Sequence, residues 1–210
     1  MVKVRIQFSK DGALRFIGHL DFLRVFGQML RRAELPVAFS QGFNPHILLS
    51  FALPLPLGMV SGNDYADLTL AHQVNLLDAV KVLQTHAPQG LTLHKIWETE
   101  GRNTASVTAT ADYTLAGEIV TDLLASQEYI IPKKTKSGVK DTNIRPDIFD
   151  ITETKGQITL RLAAGSGRFL NPVTTAKILL NREVSAHEIT RAELYARVGE
   201  AFIPLDKFTN

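Results

Sequence analysis

Charged and apolar residues alternate over residues 2–9, and a period of two predicts a strand. Lys10-Asp11-Gly12 then supplies a turn. From His19 to Glu34 the period becomes helical. Phe22, Phe26, Met29, Leu30 and Ala33 fall on one face, with Asp21, Arg24, Gln28, Arg31 and Arg32 on the other. Gly18 stands at the N-cap, Asp21 suits the first turn, and Arg31 and Arg32 suit the last. Short strands are predicted over residues 36–39 and 47–52, and a third over 64–71, whose Asp64 and Asp67 are expected to face water. A helix over 76–86, capped by Asn75 and closed by Gly90, leads to a strand over 91–99. Strand, helix, strand, strand, helix, strand is the order of the split βαβ unit.

Glu100-Gly101-Arg102-Asn103 reads as a boundary. Beyond it the pattern predicts a strand over 105–115, a helix over 117–125 and a short strand over 129–134. Residues 147–152 and 157–163 form a predicted hairpin across Lys155-Gly156. Asn171 and Pro172 open a helix running to about Leu180, since Asn caps and Pro fits the first turn. A final strand is predicted over 186–195. The expected class is α+β, with two ferredoxin-like halves built on antiparallel sheets, at residues 1–100 and 104–210. A single larger α+β sheet is the alternative.

Composition narrows the chemistry. The 210 residues are 45% hydrophobic and 21% charged, enough for a core of useful size. The formal net charge of +2 does not by itself argue for nucleic acid, so the placement of charge must carry that case. With no cysteine, the chain has no disulfide, thiolate metal site, cysteine-bound cluster or cysteine nucleophile. That fits a reducing cytoplasm. The apolar run over 47–60 is too short to span a bilayer and is broken by Pro54, Pro56 and Gly58.

Four constellations are candidates. Arg15 and His19, at a strand-to-helix junction, suit a phosphate or carboxylate at a helix N-terminus; the plainer reading is a capped helix beside a solvated arginine. The loop Ser40-Gln41-Gly42-Phe43-Asn44-Pro45-His46 offers Phe43 for base stacking, and Gln41 and Asn44 for base edges; a tight turn with a core-plugging Phe fits equally. A His19–His46 pair would permit acid–base chemistry, while His46 has no partner at metal-ligand spacing. Lys133, Lys134, Lys136, Lys140 and Arg145 lie in a stretch of small residues suited to phosphates, or form a solvated hairpin tip. Gly165-Ser166-Gly167-Arg168 precedes a capped helix and suits an anion, but lacks the endings of a nucleotide loop. No Ser/His/Asp arrangement or carboxylate pair stands out, and Trp97 is expected in or near a core.

The stretches Arg5-Ile6-Gln7-Phe8-Ser9-Lys10, Leu14-Arg15-Phe16-Ile17-Gly18-His19-Leu20-Asp21, Ala38-Phe39-Ser40-Gln41-Gly42-Phe43-Asn44-Pro45-His46 and Ser50-Phe51-Ala52-Leu53-Pro54-Leu55-Pro56-Leu57-Gly58 together resemble the radical-SAM-associated domain family of unknown function. The resemblance implies a cytoplasmic accessory protein beside a radical-SAM enzyme partner, with the radical chemistry on that other polypeptide and no cofactor on this one. It leads to an expectation of structured RNA, tRNA or rRNA, presented to that partner. Lys133, Lys134, Lys136, Lys140, Arg145 and Arg168 would contact phosphates, and Arg15, His19, Gln41, Phe43, Asn44 and His46 would form the pocket. No membrane and no DNA is expected. The rival readings are an RNA-processing enzyme using histidine acid–base chemistry, and a module docking its partner through residues 51–60 without RNA.

Overall fold

The computed structural model describes residues 1–135 and 138–209. The elements run β1 (Val2–Lys10), α1 (His19–Arg32), β2 (Leu49–Phe51), β3 (Val60–Leu70), α2 (Leu76–His86), β4 (Leu91–Glu98), α3 (Thr104–Val107), β5 (Thr108–Ala116), β6 (Ile130–Thr135), β7 (Gly138–Asn143), β8 (Ile148–Thr154), β9 (Gln157–Ala163), α4 (Pro172–Leu180), β10 (Thr190–Val198) and β11 (Ala201–Pro204). The fold is mixed α+β. Nine strands make one sheet along the path β4-β1-β3-β10-β5-β9-β8, with β2 hydrogen-bonded to β3 and β11 to β10. Its pairings are antiparallel except for β10 against β3, which meet in parallel at Thr190–Val60 and Arg191–Ser61. Among the described residues β6 and β7 form a separate two-stranded sheet.

Two buried clusters lie along this sheet. One gathers Ile6, Phe8, Phe22, Phe26, Leu30, Phe51 and Leu68 under α1 and α2. The other gathers Tyr113, Leu115, Leu160, Leu162, Leu179 and Leu194 around α4. The first is dense in aromatics: the Phe22 and Phe51 rings stack at 5.0 Å, and Phe26 meets Phe51 edge-on at 5.4 Å. The helical stripe that places Phe22, Phe26, Met29 and Leu30 on one face therefore buries that face. Asn75 and Asn171 cap α2 and α4 by accepting hydrogen bonds from first-turn amides. The β8–β9 turn places Lys155 and Gly156 at φ 52° and 75°, a mirror-image turn whose twist matches the strands it joins.

Several sequence expectations are corrected. Residues 117–125 form no helix. The apolar spacing there is helical, but the Val120 and Thr121 amides donate to Leu179 O, and the Asp122 carboxylate captures the Leu124 and Ala125 amides. Residues 36–39 make isolated bridges, Val37 to Leu70 and Phe39 to Ile47, and no full strand. Residues 186–188 are a 3-10 turn held by a Ser185–Glu188 capping box, so the last long strand begins at Thr190. Asp64 and Asp67 do not face water: Asp64 is 5% exposed and bound by Arg191, and Asp67 is bound by Arg5. The alternation is right, but β3 is central, hydrogen-bonded to β1, β2 and β10. The arginines that neutralise its carboxylates come from far along the chain.

Candidate functional site

The candidate surface is the face of the sheet opposite α4. On β5, β9 and β10 the alternation that turns Tyr113, Leu160, Leu162 and Leu194 into the core turns Asp112, Arg161, Tyr195 and Arg197 outward. Arg161 grips Asp112 with two bonds of 2.7 Å, and the Tyr195 hydroxyl donates to the same carboxylate at 2.7 Å. The hydrogen bond to Asp112 holds the Arg161 guanidinium firmly charged, and burial keeps the Tyr195 hydroxyl protonated. The Arg161 guanidinium lies 4.6 Å from the Tyr195 ring centre and 5.5 Å from that of Phe202. Arg197 lies 5.6 Å from Phe149 and 5.8 Å from Phe202, whose rings are 5.0 Å apart. Tyr195, Arg161, Phe202, Arg197 and Phe149 thus form a ladder of alternating rings and guanidinium planes.

The ladder ends at a cleft of about 230 Å³ lined by Phe149, Pro146, Arg197 and the loop from Gly165 to Arg168. That loop is a tight return: Gly165 N–H donates to Arg168 O, and a Cβ on Gly165 would lie 2.7 Å from Thr108 O. The exposed Arg168 reaches Asp147 at 2.6 Å. The base of the β6–β7 hairpin adjoins the cleft, because β7 ends at Asn143, three residues before Pro146. Lys133 and Lys140 are exposed and directly opposite each other on the hairpin. Lys136 lies outside the described residues, as does the side chain of Lys134. Arg145 is engaged within the fold, donating to Ser126 O and Ile148 O.

The other expected site residues lie in the first half, apart from this cleft. Gln41, Phe43, Asn44 and His46 are exposed on a loop closed by a 2.8 Å contact between Ser40 Oγ and His46 Nδ1, and Phe43 stands free at its tip. His46 borders two grooves, one against Lys3, Asp67 and Asn103, the other against Arg24, Gln28 and Arg31 of α1. His19 borders a different cavity, with Lys10 and Asp64. Arg15 packs its guanidinium 5.2 Å from the Phe16 ring, and its Nε is buried without a hydrogen-bond partner. Residues 51–60 are mostly turned inward, with Phe51, Ala52 and Met59 buried and Leu53 O and Pro54 O accepting from Arg191.

Sequence reasoning missed Phe149, Arg161, Tyr195, Arg197 and Phe202. Tyr195-Ala196-Arg197 does alternate, but register with Arg161 and Phe202 is set by pairing across the sheet. Among the described residues no group of three His, Cys, Asp or Glu is arranged to hold a metal ion. No helix among them is long and apolar enough to cross a membrane.

The model of a bacterial family described as "Uncharacterized protein conserved in bacteria (DUF2344)" matches residues 3–172. The chain belongs to the DUF2344 family. The matched span of this DUF2344 protein takes in the hairpin, the Gly-Ser-Gly loop, Phe149 and Arg161. A search of curated proteins gives no match.

Proposed function

We propose that this DUF2344 protein is an accessory RNA-binding protein that presents structured RNA to a radical-SAM enzyme. The observation carrying the proposal is the ring–guanidinium ladder of Tyr195, Arg161, Phe202, Arg197 and Phe149, ending at the Gly165–Arg168 loop. Unpaired bases stack on aromatic rings and on arginine planes, and the arginine heads meet phosphates. The Lys133–Lys140 pair adds weight. Like charges directly opposite on a hairpin destabilise it, and an anion seated between them removes that cost. Lys133, Lys140, Arg168 and Arg197 are the phosphate contacts in this reading, and Lys134 and Lys136 belong to the same run of lysines in the sequence.

We also read the sheet as two split-βαβ halves joined at β3 and β10, at residues 1–100 and 104–210. The orders β4-β1-β3-β2 and β10-β5-β9-β8 support this, with the β6–β7 hairpin standing where the second half would carry its first helix. In this arrangement the first half is free to dock the enzyme while the second holds the RNA. Catalysis by a His19–His46 pair is less favoured, because the two imidazoles border different cavities.

The test is a filter-binding titration against total cellular RNA at two salt concentrations, with wild type and a Lys133→Glu, Lys140→Glu variant. Salt-sensitive binding that the variant weakens supports the proposal. Absent binding, or binding indifferent to both salt and variant, removes it.

A further inference from the structure

Among the described residues, two cations are buried side by side in the middle of the sheet. Lys10, at the end of β1, is 3% exposed and Arg191, on β10, is 0% exposed. The carboxylate between them is Asp64, and its Oδ1 accepts both Arg191 bonds, at 2.9 and 2.7 Å. Arg191 is further satisfied by Leu53 O and Pro54 O. Lys10 is not so provided for. Its Nζ has a long contact of 3.4 Å to Ile17 O and lies 4.5 Å from the Phe22 ring centre. One ammonium is therefore buried in excess of the carboxylate that serves the pair. Buried charges are ordinarily paired and fully hydrogen-bonded, because leaving water costs each ion heavily.

The excess charge faces a cavity. Lys10, His19, Phe22, Phe51, Pro54 and Asp64 surround a space of about 10 Å³, room for a single oxygen atom or water. His19 is the first residue of α1, and burial and the Lys10 charge push its imidazole below its ordinary range. Gly18 caps α1 without a side chain, so the cap residue offers no side-chain acceptor to the first-turn amides, and Asp21 is the acidic residue of that turn. The imidazole and the positive end of a helix thus stand at the mouth of a hole lined by Lys10 and by the Asp64 carboxylate that Arg191 already engages.

We propose that this cleft binds a phosphate group, one oxygen entering to meet Lys10 Nζ and the others remaining at the mouth beside His19 and the α1 amides. A tetrahedral anion suits the site because one oxygen fills the cavity while the remaining charge stays where the imidazole and helix end can meet it. The site is separate from the ring–guanidinium ladder and does not depend on it. The phosphate can come from a small phosphomonoester or from the terminal phosphate of an RNA.

The experiment is thermal unfolding of the full chain with inorganic phosphate against sodium chloride at matched ionic strength. Wild type should gain a saturable rise in Tm specific to phosphate. Lys10→Met keeps volume and removes the buried charge, so it should fold, start from a higher Tm and lose the phosphate response. His19→Ala, at an exposed position, should keep the fold and bind phosphate several-fold more weakly. No phosphate-specific rise in wild type, or an equal rise in Lys10→Met, overturns the proposal. Two further ligands separate the sources. If phenyl phosphate stabilises as well as a 5′-phosphorylated oligoribonucleotide does, the ligand is a small phosphomonoester. If the phosphorylated oligonucleotide is much stronger than its 5′-hydroxyl form and than phenyl phosphate, the ligand is an RNA end.

Discussion

Replacing Glu193 with Gln should stabilise the protein, and should do so far more at pH 8 than at pH 5. Glu193 lies on β10 facing Tyr65, with Asp64 and Asp206 as its charged neighbours. Its Oε1 accepts from the Tyr65 hydroxyl at 2.8 Å and from the Leu194 amide at 2.7 Å. Burial is the largest influence on the carboxyl and, with the two aspartates, pushes it up to about 7, against those two hydrogen bonds. Between the ordinary glutamate range and 7 the folded state therefore holds a proton that the unfolded chain has released. Stability contributed by this group is complete in acid and falls as pH rises through that window. The full difference is at most about 3 kcal/mol. Because the group is partly solvated, solvent screening reduces it to roughly 1–2 kcal/mol. Glutamine keeps an oxygen able to accept both bonds and cannot ionise. Urea unfolding should show Glu193→Gln more stable than wild type by roughly that amount at pH 8, with the two converging at pH 5. At about 2–4 °C per kcal/mol for a chain of this length, the same gain is readable as Tm. A variant weaker than wild type at pH 8, or one with the same increment at both pH values, would refute the reasoning.

Asp64→Asn should cost about 3–5 kcal/mol in chemical denaturation, since it strips the carboxylate from buried Arg191 and leaves Lys10 still charged. A loss under about 1 kcal/mol would show that the cluster is hydrated. Gly90→Ala should lower Tm markedly, because Gly90 has φ +89° and an added Cβ would lie 2.6 Å from Asp11 O; an unchanged Tm contradicts it. Phe43→Ser should leave stability within about 0.5 kcal/mol, as the ring is fully exposed, and a larger loss in unfolding would mean the loop packs on something in solution.

The sequence was most informative where structure is local. The stripe of α1, the caps Asn75 and Asn171 and the Lys155-Gly156 turn are settled within a few residues, and each is where the pattern puts it. Residues 117–125 show the limit. Their apolar spacing suits a helix, yet carbonyls and carboxylates from elsewhere take the amides a helix would need. The candidate site divides in the same way. The lysine hairpin and the Gly-Ser-Gly loop can be read as short runs. The ladder cannot, because it sets Phe149, Arg161, Tyr195, Arg197 and Phe202 together from four strands. Nor can Asp64 be known as buried without Arg191, which lies 127 residues away.

The most direct measurement is the salt dependence of RNA affinity for wild type and for Arg168→Gln, Arg197→Gln. Both arginines are exposed, so the double variant keeps the fold. Fluorescence anisotropy with a structured RNA should give a log–log salt slope reduced by roughly one for each arginine removed. An unchanged slope and affinity would place the RNA elsewhere, and no measurable RNA affinity in wild type would contradict the account altogether.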